Sequence, residues 1–179
     1  MSGRTKHAAK PRGRARGDGP GVTGFVVRLL VGWAVAIGVL ALVPAIEHGA
    51  IVGTVASVGG ALRLASLAPV ISGNTITLGM LAVRIIPECT PVMPGVLLAT
   101  AMVAYPSALR WKLIGVAAGL VVLWVFNVIR VLALFATLAW WPGSFKFMHV
   151  YLWQTVSLLA VSALFLAWLR WAPARRAPA

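Results

Sequence analysis

The chain has 179 residues, 60% of them hydrophobic and 11% charged, against about 45–50% and about 25% in soluble globular domains. A core built from so few residues cannot hide that much apolar surface, which excludes a soluble single-domain protein. Sixteen Lys and Arg face three Asp and Glu, a net charge of +13, so the position of those charges carries the next inference.

Residues 1–23 form a basic tail: Arg4, Lys6, Lys10, Arg12, Arg14 and Arg16 stand against the one acid Asp18, among Gly, Pro and Ala. That composition predicts disorder. A first membrane span is expected over 25–45 within a segment 24–46, closed by Pro44 and the polar pair Glu47-His48. Residues 49–71 are apolar but rich in Gly and Ser, with Arg63 near the middle. A span there would put Arg110 and Lys112 on the opposite side from the basic tail. The segment 47–88 is therefore expected on the outer face, as an interfacial, partly amphipathic helix followed by a short extended stretch. Thr75–Ile86 alternates polar and apolar residues, a period of two that reads as a strand or hairpin.

The remaining core, 89–172, is read as three spans: a short one over 91–105 between prolines, one over 112–139, and one over 149–171. A basic tail at 173–179 ends the chain. This makes an all-α polytopic membrane protein with about four transmembrane helices. The tail, Arg110, Lys112, Arg170, Arg175 and Arg176 all fall on one side, which the positive-inside rule makes cytoplasmic. Both termini are then cytoplasmic in the plasma (inner) membrane. Trp140, Trp141 and Trp153 are expected to mark the outer interface, and Trp111, Trp168 and Trp171 the inner one.

Three groups resist this apolar setting. Cys89, the only cysteine, sits in Glu88-Cys89-Thr90-Pro91. Thr90 as N-cap and Pro91 as first helical residue would place the thiol at a helix N-terminus, where the dipole favours thiolate. The ordinary alternative is a small buried hydrophobe. Arg130 lies in an apolar run, where an arginine costs at least about 2.5 kcal/mol near the bilayer centre. Asn127, three residues back on the same face, is expected to orient its guanidinium. His149 is expected to open the last span, with its helix N-terminus tuning it as a base. At about 1.5 Å per residue the three reach one level near the outer boundary. Cys, Arg and His together suit nucleophilic acyl transfer. The chain shows no metal-ligand spacing, no phosphate-binding glycine loop and no cofactor motif. A non-enzymatic alternative also fits: a small membrane subunit or assembly factor whose Arg130 pairs with a partner helix.

The stretch from about Thr75 to Trp171 resembles the core of the exosortase/archaeosortase family, as a short or variant member. The matching features are Ile85-Ile86-Pro87-Glu88-Cys89, a short span and basic loop, Asn127-Val128-Ile129-Arg130, and His149 at the outer start of the next span. Many members follow the cysteine with Ser-Gly or Asn-Gly, whereas this chain has Thr90-Pro91. The resemblance implies a membrane cysteine protease or transpeptidase, with Cys89 as nucleophile, Arg130 as oxyanion or substrate-orienting group and His149 as acid/base. Glu88, Thr90 and Asn127 support them. The implied partners are exported proteins bearing a C-terminal motif, a transmembrane helix and a basic tail, besides membrane lipids and without nucleic acid.

Overall fold

The computed structural model describes residues 22–172. The tail at 1–23 lies almost wholly outside them and that at 173–179 wholly. The chain is an all-α multi-pass membrane protein carrying one small sheet. Its helices are α1 (Val22–Leu42), α2 (Pro44–Leu64), α3 (Val92–Ala104), α4 (Leu109–Trp140), a three-residue α5 (Phe145–Phe147) and α6 (Trp153–Trp171). The strands β1 (Val70–Ser72), β2 (Thr75–Leu78) and β3 (Leu81–Arg84) lie between α2 and α3. Among the described residues, α1, α2, α4 and the helical run Pro142–Trp171 are long and apolar enough to cross a membrane.

α1, α3, α4 and α6 form an antiparallel bundle. Gly32 of α1 packs on Thr100 of α3, while Gly95 of α3 admits Leu120 of α4 and Gly119 of α4 admits Leu98 of α3. These glycines let the helices approach closely. α3 occupies the bundle centre, in contact with α1, α4 and α6, and buries Leu98 and Met102. Its 13 residues reach about 20 Å, short of a hydrocarbon core of about 30 Å. A helix sheathed by three neighbours need not match the lipid by itself.

At one end of the bundle the Lys112 ammonium donates to the Val103 carbonyl at 2.6 Å, satisfying an orphan carbonyl at the C-terminus of α3. Trp168 belongs to this end but is no interfacial belt residue. It is buried, its indole N–H donates to the Trp111 carbonyl at 2.9 Å, and it fills the notch left by Gly115. Trp140 and Trp141 stay exposed at the other end.

α2 begins at Pro44, earlier than the 49–71 expected, because proline is preorganised for the first helical position. It ends where Ser66 turns left-handed, with φ 61°, and the Leu67 N–H reaches the Leu62 carbonyl at 3.0 Å. Gly53 packs on Trp124, and the Trp124 indole donates to the Ser57 hydroxyl at 3.1 Å. Farther along, Val55, Val58 and Leu62 join Val131 and Phe135 of α4, Ile76 and Val83 of the sheet, Ile85 and Cys89 in one apolar cluster.

The alternation read over Thr75–Ile86 forms the hairpin β2–β3, and residues just before it add β1. The order is β1-β2-β3, all antiparallel. Both turns have two residues and put glycine first, Gly73 at φ 59° and Gly79 at φ 60°, the pattern that suits the twist of a hairpin. The sheet, the later turns of α2 and the later stretch of α4 pack together around Cys89.

Candidate active site

The site is assembled from three separate segments. Cys89 closes a single 3-10 turn, Pro87–Cys89, ahead of α3. Ile86 and Thr90 flank the turn in extended conformations, as a residue preceding proline prefers. α3 starts one position later than expected: the Gly95 N–H bonds to the Pro91 carbonyl at 2.9 Å, so Pro91 is the cap. The buried Thr90 hydroxyl donates to the Pro87 carbonyl at 2.7 Å and so pins the turn rather than chiefly capping the helix; the Val92 N–H lies 3.5 Å from it.

Asn127 does not orient Arg130. Its amide donates to the Cys89 carbonyl at 2.8 Å in a buried setting. An asparagine at i−3 shares the arginine's face, but the nearby Cys89 carbonyl needs a donor. Asn127 therefore positions the cysteine backbone. Asn127→Leu leaves that carbonyl unpaired, a loss of about 1–3 kcal/mol. For a catalytic cysteine, a displacement of about 1 Å would cost on the order of a hundredfold in turnover. Thermal unfolding in detergent and the rate of substrate processing measure the two effects.

Arg130 projects from mid-helix in α4 and is 4% exposed. Its buried Nε has no hydrogen-bond partner among the described residues. It lies within electrostatic range of Cys89 and of His149. Glu88, exposed on the 3-10 turn, lies within the same range of His149.

His149 does not open its helix. The helical run begins at Pro142, passes through α5 and enters a π turn, Met148–Leu152, before α6. His149 is thus about two turns inside, and the helix N-terminus no longer explains its tuning. π turns insert one extra residue and recur at functional sites. The ring stacks on Phe145, centroids 5.8 Å apart and 10° from parallel. Its Nδ1 is buried without a partner.

Cys89 and His149 line one cavity of about 340 Å³, together with Ala82, Val83, Arg84 and Ile86 of the β3 segment and Leu134, Leu138 and Phe145. Cys89 and His149 therefore share one cavity, whereas Arg130 is not among its lining residues and is linked to both only through electrostatic range. Leu134 and Leu138 were not singled out from sequence. They continue the Asn127–Arg130 face of α4 at helical spacing, which is the signal that marks them. Phe145 had no such signal, because its position depends on the π turn. Among the described residues no three His, Cys, Asp or Glu side chains are grouped to hold a metal ion.

Two further features set the chemistry. Both backbone N–H groups next to the thiol are spent inside the turn: Cys89 N–H bonds to the Ile86 carbonyl at 2.8 Å and Thr90 N–H to the Pro87 carbonyl at 3.0 Å. Pro91 has none to offer. Arg130, whose Nε has no partner among the described residues, lies within electrostatic range of the cysteine. Compared with known protein families, with curated proteins and with solved structures, the chain matches none.

Proposed function

We propose that this chain is a membrane-embedded cysteine peptidase or transpeptidase of the exosortase/archaeosortase kind, cleaving C-terminal sorting signals of exported proteins at the outer face of the plasma membrane. The observation that carries the reading is the cavity shared by Cys89 and His149, with Arg130 in electrostatic range of both and with buried polar atoms of Arg130 and His149 lacking partners among the described residues. Buried polar groups are nearly always satisfied, and exceptions call for an explanation such as a reacting ligand.

In this mechanism His149 takes the proton of the Cys89 thiol. The thiolate adds to the scissile carbonyl, and the Arg130 guanidinium stabilises the resulting oxyanion, as the backbone N–H groups are committed elsewhere. Collapse breaks the C–N bond. The imidazolium returns its proton to the departing amine, which stays with the substrate's membrane helix. A thioester on Cys89 remains. Water or an acceptor amine attacks it, His149 accepts the attacker's proton, and the sulfur leaves as thiolate. Enzyme and substrate share one membrane, which raises their effective concentration.

The covalent intermediate is the direct test. Full-length chain in membranes, quenched in acid while exported substrates are being cut, is expected to carry a peptide mass on Cys89. Neutral hydroxylamine should release it. Cleavage that proceeds with no such adduct overturns the covalent mechanism, and absence of any cleavage of co-produced exported proteins overturns the reading as a whole.

A further inference from the structure

The β3 strand has one partner. Among the described residues its other edge is open, and the register shows which groups it leaves free. Ile85 N–H bonds to the Asn74 carbonyl at 2.8 Å, and the Asn74 side-chain amide returns a bond to the Ile85 carbonyl at 3.0 Å. Residues 74 and 85 are therefore a hydrogen-bonded pair. Counting along the antiparallel ladder, Ile76↔Val83 and Leu78↔Leu81 are also bonded pairs, while Thr75↔Arg84 and Thr77↔Ala82 are not. The main-chain N–H and C=O of Ala82 and Arg84 thus point away from β2. No hydrogen bond from the rest of the described chain meets them.

These two residues, with Ile86, border the same cavity as Cys89 and His149. From Ala82 to Ile86 the strand advances about 14 Å at roughly 3.4 Å per residue, the length of about four residues of extended peptide. The same cavity is also lined by the apolar side chains of Leu134, Leu138 and Phe145. An unpaired edge facing an apolar slot is the arrangement that β-strand addition uses: main-chain bonds give affinity and alternate side chains find pockets.

We propose that β3 is the substrate-docking strand. A peptide in extended conformation adds beside it, bonded to the main chain of Ala82 and Arg84, with an apolar side chain seated against Leu134, Leu138 and Phe145 and its scissile carbonyl delivered to Cys89. This inference rests on the proposed nucleophilic role of Cys89 and specifies the substrate: an unfolded, extended segment, not a helix or a folded surface. The Pro87 kink ends the docking strand, so the bound peptide runs past the 3-10 turn onto the thiol. Val83 turns most of its side chain into the apolar cluster and also borders the cavity.

The test uses the full chain in detergent and two alkylating probes of Cys89, iodoacetamide and the tripeptide acetyl-Leu-Leu-Ala chloromethyl ketone. With the second, the sulfur bonds to the methylene carbon and chloride leaves. The peptide probe is expected to label Cys89 at least about tenfold faster than a chloromethyl ketone lacking the peptide. Methylating one of its backbone nitrogens should slow it about fivefold for each main-chain bond removed. Ala82→Pro removes an outward N–H without touching the ladder to β2. It should slow the peptide probe alone and leave iodoacetamide unchanged. A peptide probe that gains no rate, or that ignores both N-methylation and Ala82→Pro while iodoacetamide still labels Cys89, overturns the docking strand and leaves the nucleophile standing. Cys89 inert to both reagents overturns the nucleophile, and the docking inference falls with it. The N-methylated probe needs no variant, so a misfolded Ala82→Pro chain does not blunt the result.

Discussion

Cys89→Ala is expected to abolish processing, a loss of about ten-thousandfold or more, with the helical bundle intact. Removing a nucleophile eliminates the covalent route outright, and what survives is the background from binding and oxyanion stabilisation. Folding is little affected, for a local reason. The Asn127 bond goes to the Cys89 main-chain carbonyl, which alanine retains. The sulfur touches an apolar cluster, and deleting so small a buried group costs on the order of 1 kcal/mol. Cys89→Ser is the sterner variant, because it buries a weakly acidic hydroxyl in that cluster. Immunoblotting of substrate in cells measures the first effect, and thermal unfolding in detergent the second. Full processing by Cys89→Ala makes the thiol a core residue, a role that its 4% exposure also suits. What distinguishes the two is access: the residue lines the cavity shared with His149, whereas a purely structural thiol has no need of one.

The parts of this site that the sequence discloses are those that violate the solvent. An arginine in a run of valine, leucine and phenylalanine is visible because lipid penalises it, whatever the fold. The lone cysteine before Thr-Pro and the polar alternation over Thr75–Ile86 are visible for similar local reasons; the alternation forms the hairpin it predicts, whereas the cysteine lies in a 3-10 turn with Pro91 as the helix cap. Helix length with a fixed rise is what leads the sequence to expect Cys89, Arg130 and His149 at one level. The partners of these residues are less legible, because they depend on packing across elements. Asn127 shares a helical face with Arg130, yet its amide donates a hydrogen bond to the Cys89 carbonyl, 38 positions away in sequence. Trp168 carries the composition of an interfacial residue but is drawn inward by the notch at Gly115. His149 shows no local sign of the π turn that carries it. The open edge of β3 depends on register, which follows from a two-residue turn and not from hydropathy alone.

Arg130→Met is expected to lower the rate of acyl transfer by about a hundred- to a thousandfold, the usual effect of deleting an oxyanion donor. It should also make the protein more stable. Methionine fills similar volume without charge. Replacing buried ionic groups with apolar ones is commonly neutral or stabilising by about 1–4 kcal/mol, and Arg130 leaves its buried Nε without a partner. The two effects should move in opposite directions, which is the signature of a residue kept for chemistry at the expense of folding. Arg130→Lys keeps the charge but loses the planar fork, so its rate should fall between the two. A structural arginine gives the reverse pattern, with normal processing and a lower melting temperature. The subunit alternative gives a third: processing unaffected and a membrane complex that dissociates. That alternative needs a partner helix to reach the guanidinium, and Arg130 is 4% exposed, enclosed within its own bundle and not turned to the lipid. Its charge lies within electrostatic range of Cys89 and His149 instead, where negative charge develops when a thiolate attacks a carbonyl. Paired rate and melting measurements on Arg130→Met and Arg130→Lys therefore separate the three roles in one series.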